Sequence, residues 1–163
     1  MDHFFPGSLH RRYRLWLRKA GPLHGIQEDG NGYENIQILS RLLGYPRSEL
    51  ASIAEDVVSF CDLGSALDRP VRTYSNGMRL RLCFGVITAW PADILLVDEV
   101  IGVGDNDFKQ RAIERMKDFI FRSGILILAS HDQGILSSFC KESILLDKGE
   151  IVERTVLKDP DPG

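Results

Sequence analysis

The sequence has few cysteines and no hydrophobic run long enough to cross a membrane. Its three cysteines, Cys61, Cys83 and Cys140, show no C-x-x-C spacing, which argues against a disulfide framework or a cysteine zinc site and favours a reducing compartment. The longest apolar stretch, Gly85 to Val97, is interrupted by a proline and an aspartate and is shorter than the roughly 20 residues that a bilayer requires. We therefore expect a cytoplasmic protein without a transmembrane helix.

Neither charge nor composition is extreme. The chain has 163 residues, of which 44% are hydrophobic and 26% are charged, and these values are typical of one folded globular domain. Basic residues are concentrated in residues 1–24, so the remainder is more acidic than the net charge of −3 indicates. Because Lys and Arg supply most of the affinity for phosphate backbones, nucleic acid is not an expected partner.

The first half of the sequence predicts helices. Leu9, Tyr13 and Leu17 recur at helical spacing after Ser8, which predicts a short basic amphipathic helix from Ser8 to Ala20. Two further apolar stripes predict a small helical layer, with helices over residues 33–43 and 48–62. A third helix is predicted over residues 76–89, before a proline that would end it.

The second half predicts alternating strands and helices. Two short apolar runs, Asp93 to Asp98 and Ile125 to Ser130, are typical of buried parallel strands, and a predicted helix from Asn106 to Arg122 connects them. A helix over residues 133–140 and a hairpin turning at Lys148-Gly149 would follow. The predicted fold class is therefore α/β, with a proline-rich tail over residues 157–163 that we expect to be disordered.

Polar residues follow both predicted strands. The first strand ends in Asp98-Glu99 and the second in Ser130-His131-Asp132, and ligands bind beyond the carboxyl ends of strands in open parallel sheets. Adjacent carboxylates there suit metal-assisted phosphoryl transfer, in which one reaches Mg²⁺ and the other polarises a water molecule. Two plainer interpretations stay open: acidic residues that face solvent, and a histidine whose hydrogen bonds are satisfied in a strand-to-helix turn.

A third candidate element is Ser75-Asn76-Gly77 at the start of a predicted helix. Free backbone N–H groups at a helix N-terminus favour an anion such as phosphate. Simple helix capping by the serine or the asparagine explains the same residues, so the triplet alone does not decide between the two.

The order and spacing of these elements resemble one protein family. Gly77 precedes Asp98 by 21 residues and Glu99 precedes His131 by 32. Over residues 25–156, the chain resembles the ATPase subunits of ATP-binding cassette (ABC) transporters, in the branch that exports polysaccharides, O-antigen and teichoic acids. The matching motifs are the signature motif Tyr74–Met78, the Walker B strand Ile94–Glu99, the D-loop Gly102–Asp105, the switch histidine in Ser130–Asp132, and Gln27 as the Q-loop glutamine.

The resemblance implies a role for each matched residue. Asp98 would orient Mg²⁺, Glu99 would act as general base, and His131 would contact the γ-phosphate of ATP. Gln27 would sense Mg²⁺ and relay to a transmembrane permease subunit. The signature residues and the D-loop aspartate would face a nucleotide shared with a second ATPase subunit in a head-to-tail dimer; these residues are Ser75, Asn76, Gly77 and Asp105.

The same resemblance implies an architecture. The chain would form a truncated ABC-type P-loop NTPase core with a partly parallel sheet and an α-helical subdomain. Residues 1–24 would be a divergent basic segment and residues 25–156 a partial ABC ATPase domain. Within that domain, the helical subdomain would cover about 32–90, and the part from Walker B to the C-terminal hairpin about 91–156.

One family motif is missing from the sequence. No G-x-x-x-x-G-K-[ST] stretch, the Walker A loop that wraps the phosphates, occurs in the 163 residues. We therefore expect the isolated chain to be inactive and to bind ATP more weakly than the micromolar range. A non-catalytic module that lends its signature motif to a complete partner, and a gene-fragment remnant, remain alternatives. A DNA-repair or chromosome-type ABC ATPase is disfavoured, because 48 residues between Gln27 and Ser75 leave no room for a long coiled coil.

Overall fold

A computed structural model of the chain describes residues 13–15, 25–98 and 106–157. Three strands form a parallel sheet, two more form a hairpin, and five α-helices lie between them. In chain order these elements are β1 (Tyr13–Leu15), α1 (Gly32–Leu42), α2 (Leu50–Cys61), α3 (Asn76–Thr88), β2 (Ile94–Asp98), α4 (Asn106–Arg122), β3 (Ile125–Ala129), α5 (Gln133–Phe139), β4 (Glu142–Asp147) and β5 (Glu150–Val156).

The parallel sheet has the order β1-β2-β3. The register pairs Tyr13 with Ile94 on one side of the central strand, and Ile94 with Ile125 on the other. The predicted helix from Ser8 to Ala20 is therefore wrong at Tyr13–Leu15, which is a strand. The edge of β2 offers backbone hydrogen bonds that outweigh the local helical pattern, and apolar residues at positions 13, 15 and 17 also fit the period of a strand.

The helical layer (residues 25–90, with α1, α2 and α3) has a continuous apolar core. The predicted helical stripes are confirmed for Ile36, Leu39, Ile53 and Val57, which are buried in one cluster, as the apolar face of an amphipathic helix requires. Leu43 and Phe60 of the same stripes are partly buried. Asn31 begins α1 with a capping box, in which its side chain accepts a hydrogen bond from the Glu34 N–H and the Glu34 carboxylate accepts one from the Asn31 N–H. The core residues are Ile36, Leu39, Tyr45, Ile53, Val57, Cys61, Ala66, Leu67, Val71, Tyr74, Leu82, Cys83 and Val86.

A second core joins the helical layer to the sheet. Phe84 and Ile87 project from α3 into this core, whereas Leu82 and Val86 of the same helix belong to the first core. Helix α3 therefore packs on both sides and connects the two cores. The partners of Phe84 and Ile87 come from the segment before β2, from β2 and from α4, and they are Ala92, Leu95, Val97, Phe108, Ala112 and Phe119.

The outer part of the sheet is less covered than the sequence predicts. Ile125 and Ile127 on β3 are 53% and 58% exposed, so the prediction of a fully buried strand is wrong for one of its faces. Leu126 and Leu128 pack against the second core, because alternate side chains point to opposite faces of a sheet. The opposite face lacks a covering layer within the described residues.

The C-terminal hairpin confirms its predicted turn. Strands β4 and β5 pair antiparallel with a register shift at Leu145/Leu146. Lys148 and Gly149 between them have φ of 48° and 86°, which is the left-handed conformation that a tight two-residue hairpin turn requires.

In the part of the chain that the structure describes, no helix is long and apolar enough to span a membrane.

Candidate functional site

The carboxyl ends of β2 and β3 lie side by side. The register pairs Asp98, the last residue of β2, with Ala129, the last residue of β3. The chain then continues into Ser130-His131-Asp132. The backbone therefore brings the end of the Walker B strand beside the switch-histidine turn, as the resemblance implies. Glu99, Asp105 and the rest of the D-loop lie outside the described residues.

The turn after β3 is held by Ser130 and Asp132, the two residues that flank His131. Asp132 begins α5, and its Oδ1 accepts hydrogen bonds from the N–H groups of Gly134 and Ile135 at 2.8 and 3.2 Å. The Asp132 N–H donates to Ser130 Oγ at 3.1 Å. These bonds hold an exposed His131 at the end of the sheet. Asp132 thus acts as a helix cap, and the role of His131 towards a phosphate stays a prediction.

The signature turn (residues 75–77) opens α3. Ser75 has φ −64° and ψ 163° and caps the helix, with its Oγ accepting a hydrogen bond from the Met78 N–H at 3.2 Å. All three residues of the turn are exposed. A Cβ built on Gly77 would meet only Ser75 Oγ, at 3.8 Å, so the space in front of the turn is open. The capping interpretation is therefore correct for Ser75, and an exposed helix N-terminus with free N–H groups still fits a phosphate.

Tyr74 anchors the signature turn to the helical layer, a role that sequence reasoning did not assign. Its hydroxyl donates to the Ala66 carbonyl at 2.7 Å. A Cβ at Gly32 would come within 2.6 Å of that hydroxyl and of a Leu67 methyl group, so only glycine allows α1 to pack this closely. Burial raises the pKa of Tyr74, which keeps the phenol protonated as a donor.

The Gln27 turn (residues 27–31) lies against the segment that leads into the signature turn. Asn35 holds it from inside, because this fully buried side chain accepts from the Gln27 N–H at 2.8 Å and donates to the Gln27 and Asn31 carbonyls at 3.0 and 2.9 Å. A β-bridge pairs Asn31 with Pro70. The structure therefore brings the predicted Q-loop residue close in space to the predicted signature motif. The Gln27 side chain itself is exposed.

The described residues contain no cluster of three or more His, Cys, Asp or Glu side chains. Mg²⁺ in phosphoryl-transfer sites is bound by one or two carboxylates together with phosphate oxygens and water molecules, so such a cluster is not required. Asp98 is the last residue of β2. Its assignment as metal ligand, with Gln27, stays a prediction.

Comparison with known proteins identifies relatives in one functional class. The chain is 40% identical over 132 residues to the O-antigen export system ATP-binding protein RfbE of Yersinia enterocolitica, covering 81% of this chain and 55% of the relative. The corresponding protein RfbB of Myxococcus xanthus is 36% identical over 127 residues, covering 78% of this chain and 29% of RfbB. The teichoic acids export ATP-binding protein TagH of Lactococcus lactis is 33% identical over 127 residues, covering 78% of this chain and 27% of TagH.

The homologues of this chain are ABC ATP-binding proteins of O-antigen and teichoic acid export systems. The chain spans about half the length of RfbE and less than a third of the other two. Its fold matches the solved structure of an ATP-binding subunit of an ABC transporter with a TM-score of 0.64 and 18% identity, over 82% of this chain and 56% of that one. No family model matches the sequence.

These findings confirm the resemblance to the ABC ATPase subunits and the predicted fold class, an ABC-type P-loop NTPase fold with helices and a parallel sheet. They do not test the roles of single residues or the proposed boundary between helical and sheet parts, so these stay predictions.

Proposed function

We propose that the chain is an ATP-binding subunit of an ABC transporter that couples ATP hydrolysis to the export of a polysaccharide or related glycan. The observation that carries this proposal is the exposed signature turn at the N-terminus of α3, in a chain that is 40% identical to an O-antigen export ATP-binding protein over 81% of its length. The subunit would work at the cytoplasmic face of the membrane with a transmembrane permease subunit and a second ATPase subunit.

The signature turn can hold a phosphate group through backbone chemistry. The first N–H groups of α3 have no acceptor within the helix, and the helix dipole adds a partial positive charge at this end. Ser75 Oγ and the N–H of Gly77 would bind the γ-phosphate of ATP, with Asn76 beside them. The space in front of Gly77 is open. A nucleotide that is held mainly by the second subunit would approach the turn through this space.

The ends of the sheet strands would supply the remaining groups. Mg²⁺, when bound, neutralises charge that develops on the phosphate oxygens. Asp98 would hold it with Gln27, Glu99 would accept a proton from the attacking water molecule, and His131 would donate a hydrogen bond to the γ-phosphate. Asp105 would lie at the contact between the two subunits.

A second candidate function is a non-catalytic role as signature donor. It is favoured by the continuous core of the helical layer, which presents the signature turn. In this role the chain would complete one composite ATP site of a full-length partner and would hydrolyse nothing in its own site.

Mixing experiments with a complete ATP-binding subunit of the same family distinguish the two functions. In the first arm, the partner's own signature motif is inactivated, so that hydrolysis requires the signature turn of this chain. In the second arm, the partner's general base is inactivated, so that hydrolysis requires Glu99 of this chain. The measured quantity is the rate of phosphate release from MgATP.

We expect this chain to restore hydrolysis in the first arm and Ser75→Arg to abolish it, because the arginine side chain would fill the phosphate position. Hydrolysis in the second arm, lowered about 100-fold by Glu99→Gln, identifies a catalytic subunit. Hydrolysis in the first arm alone identifies a signature donor. Failure in both arms would contradict both functions.

A further inference from the structure

The Gln27 turn and the signature segment (residues 70–77) are joined by hydrogen bonds of two kinds. Two of them connect backbone to backbone: the Val71 N–H donates to the Gly30 carbonyl and the Arg72 N–H donates to the Glu28 carbonyl, each at 2.9 Å. The others belong to two ion pairs, Arg72–Asp29 and Arg79–Glu28. The two segments therefore form one connected unit, although about 40 residues separate them in sequence.

Arg79 is the side chain that touches both segments at once. Its guanidinium forms a two-pronged ion pair with the Glu28 carboxylate, with Nη2 to Oε2 at 2.9 Å. The same group donates to the carbonyls of Tyr74 and Arg72, at 3.4 and 3.3 Å. The arginine side chain is 20% exposed and its Glu28 partner is 54% exposed. Arg79 therefore links the first turn of α3, the chain that enters that turn, and the Gln27 turn.

We propose that Arg79 is a positioning residue that sets the signature turn relative to the Gln27 turn, and that the Glu28–Arg79 pair transmits a movement of one turn to the other. The proposal rests on the proposed function in one respect, because it assumes that Gln27 and Ser75 act on the same cycle of nucleotide binding. The structural part of the proposal, that the Glu28–Arg79 pair positions the signature turn, does not depend on that function.

The geometry gives this role to Arg79 rather than to Arg72, the other arginine that joins the two segments. A planar guanidinium can bond a carboxylate with two N–H groups while its other N–H groups bind carbonyl oxygens, and a lysine ammonium lacks this fork. A second ion pair, Arg72–Asp29, joins the same segments, but its side chains are 56% and 91% exposed. Solvent weakens such an exposed pair, so it provides a matched control.

The test is a double-mutant cycle on the full chain with Glu28→Gln, Arg79→Gln and the double variant. The first readout is hydrogen–deuterium exchange of the Val71 and Arg72 amides, which report the junction without any nucleotide. The second is ATP hydrolysis restored to a signature-inactivated partner, measured as KM and kcat. Arg79→Lys tests the fork, and Asp29→Asn is the control. Thermal unfolding of each variant identifies any that fail to fold.

We expect each single substitution to speed exchange at the two amides by about fivefold or more and to reduce the restored kcat by about tenfold. The double variant should be no worse than Arg79→Gln, because both remove one interaction. Arg79→Lys should recover part of the loss, and Asp29→Asn should stay within about twofold of the wild type.

Additive effects of Glu28→Gln and Arg79→Gln, or wild-type exchange and hydrolysis in folded Arg79→Gln, would overturn the proposal. If the wild-type chain restores no hydrolysis, the proposed function fails, and the exchange data alone then decide: faster exchange without additivity supports positioning, and unchanged exchange refutes it. Should Arg79→Gln not fold, Glu28→Gln and Arg79→Lys supply the same two readouts.

Discussion

The helical layer and the C-terminal hairpin treat their apolar residues in opposite ways. In the helical layer, side chains such as Val57 and Leu82 are fully buried. In the hairpin, Leu146 is 65% and Val156 is 82% exposed. A two-stranded hairpin is only marginally stable by itself, whereas three packed helices bury a continuous core. The layer that presents the signature turn is therefore stabilised by a buried core, whereas the apolar side chains of the hairpin are exposed.

The rate of thiol labelling should show the largest difference between the two regions. Burial raises the pKa of Cys61 and of Cys83 in the helical layer to about 12 from a usual value of 9.0, which lowers their thiolate fraction about a thousandfold. Cys140, between α5 and the hairpin, is only partly buried. We expect an aromatic disulfide reagent at pH 8 to label one thiol rapidly and two slowly, and Cys140→Ser to remove the rapid phase. Three equal rates would show that the layer opens freely.

The same shift has a consequence for stability. Below pH 9 the two buried thiols are neutral in both the folded and the unfolded chain, so their full contribution to the free energy of unfolding is present. As the pH rises from 9 towards about 12, the unfolded chain ionises first, and stability is lost in that window.

Leucine truncation compares the two regions at equal chemistry. Leu82→Ala should lower the free energy of unfolding by about 2–5 kcal/mol, because it leaves a cavity in the core. Leu146→Ala on the exposed hairpin should change it by less than about 0.5 kcal/mol. Urea unfolding of both variants measures the difference. Equal losses would mean that a covering layer protects the hairpin as well as the helices.

Arg115 on α4 tests how firmly the helical layer is attached to the sheet. It forms a two-pronged ion pair with Asp56 of α2, with Nη1 to Oδ1 at 2.9 Å, and its Nε donates to Thr88 Oγ1 at 3.1 Å. Arg115→Ala should cost about 1–3 kcal/mol of unfolding free energy.

Arg122→Ala is the matched control for Arg115→Ala. Arg122 pairs with Asp118 on the exposed surface of the same helix, so its loss should cost at most about 0.5 kcal/mol. Equal costs for the two variants, measured by urea unfolding, would contradict the role of Arg115 as an attachment between the layers.

Sequence patterns predicted the helices well because each helix carries a strong local signal. The apolar stripes of α1 and α2 give their positions to within about three residues, and the strand ends at Asp98 and Ala129 follow from short apolar runs. The motif spacing then predicted the ABC-type fold that the homologues confirm. These features depend on neighbours in sequence or on fixed motif order.

The errors and omissions depend on contacts between distant segments. Residues 9–17 satisfy both a helical and an alternating pattern, and only the free edge of β2 selects the strand at Tyr13–Leu15. Burial of both faces of β3 was predicted from its apolar composition, but exposure depends on what covers the strand. The contacts of Asn35 and Arg79 cannot be predicted from local patterns, because their partners lie 8 and 51 residues away in sequence.

The central claim is that the signature turn acts on a nucleotide shared with a second subunit, and ATP-dependent association tests it most directly. Sedimentation of this chain with a complete, hydrolysis-deficient ATP-binding subunit should show a complex in MgATP that dissociates without nucleotide, and Ser75→Arg should prevent its formation. A complex that forms equally well without ATP, or that tolerates Ser75→Arg, would contradict the claim.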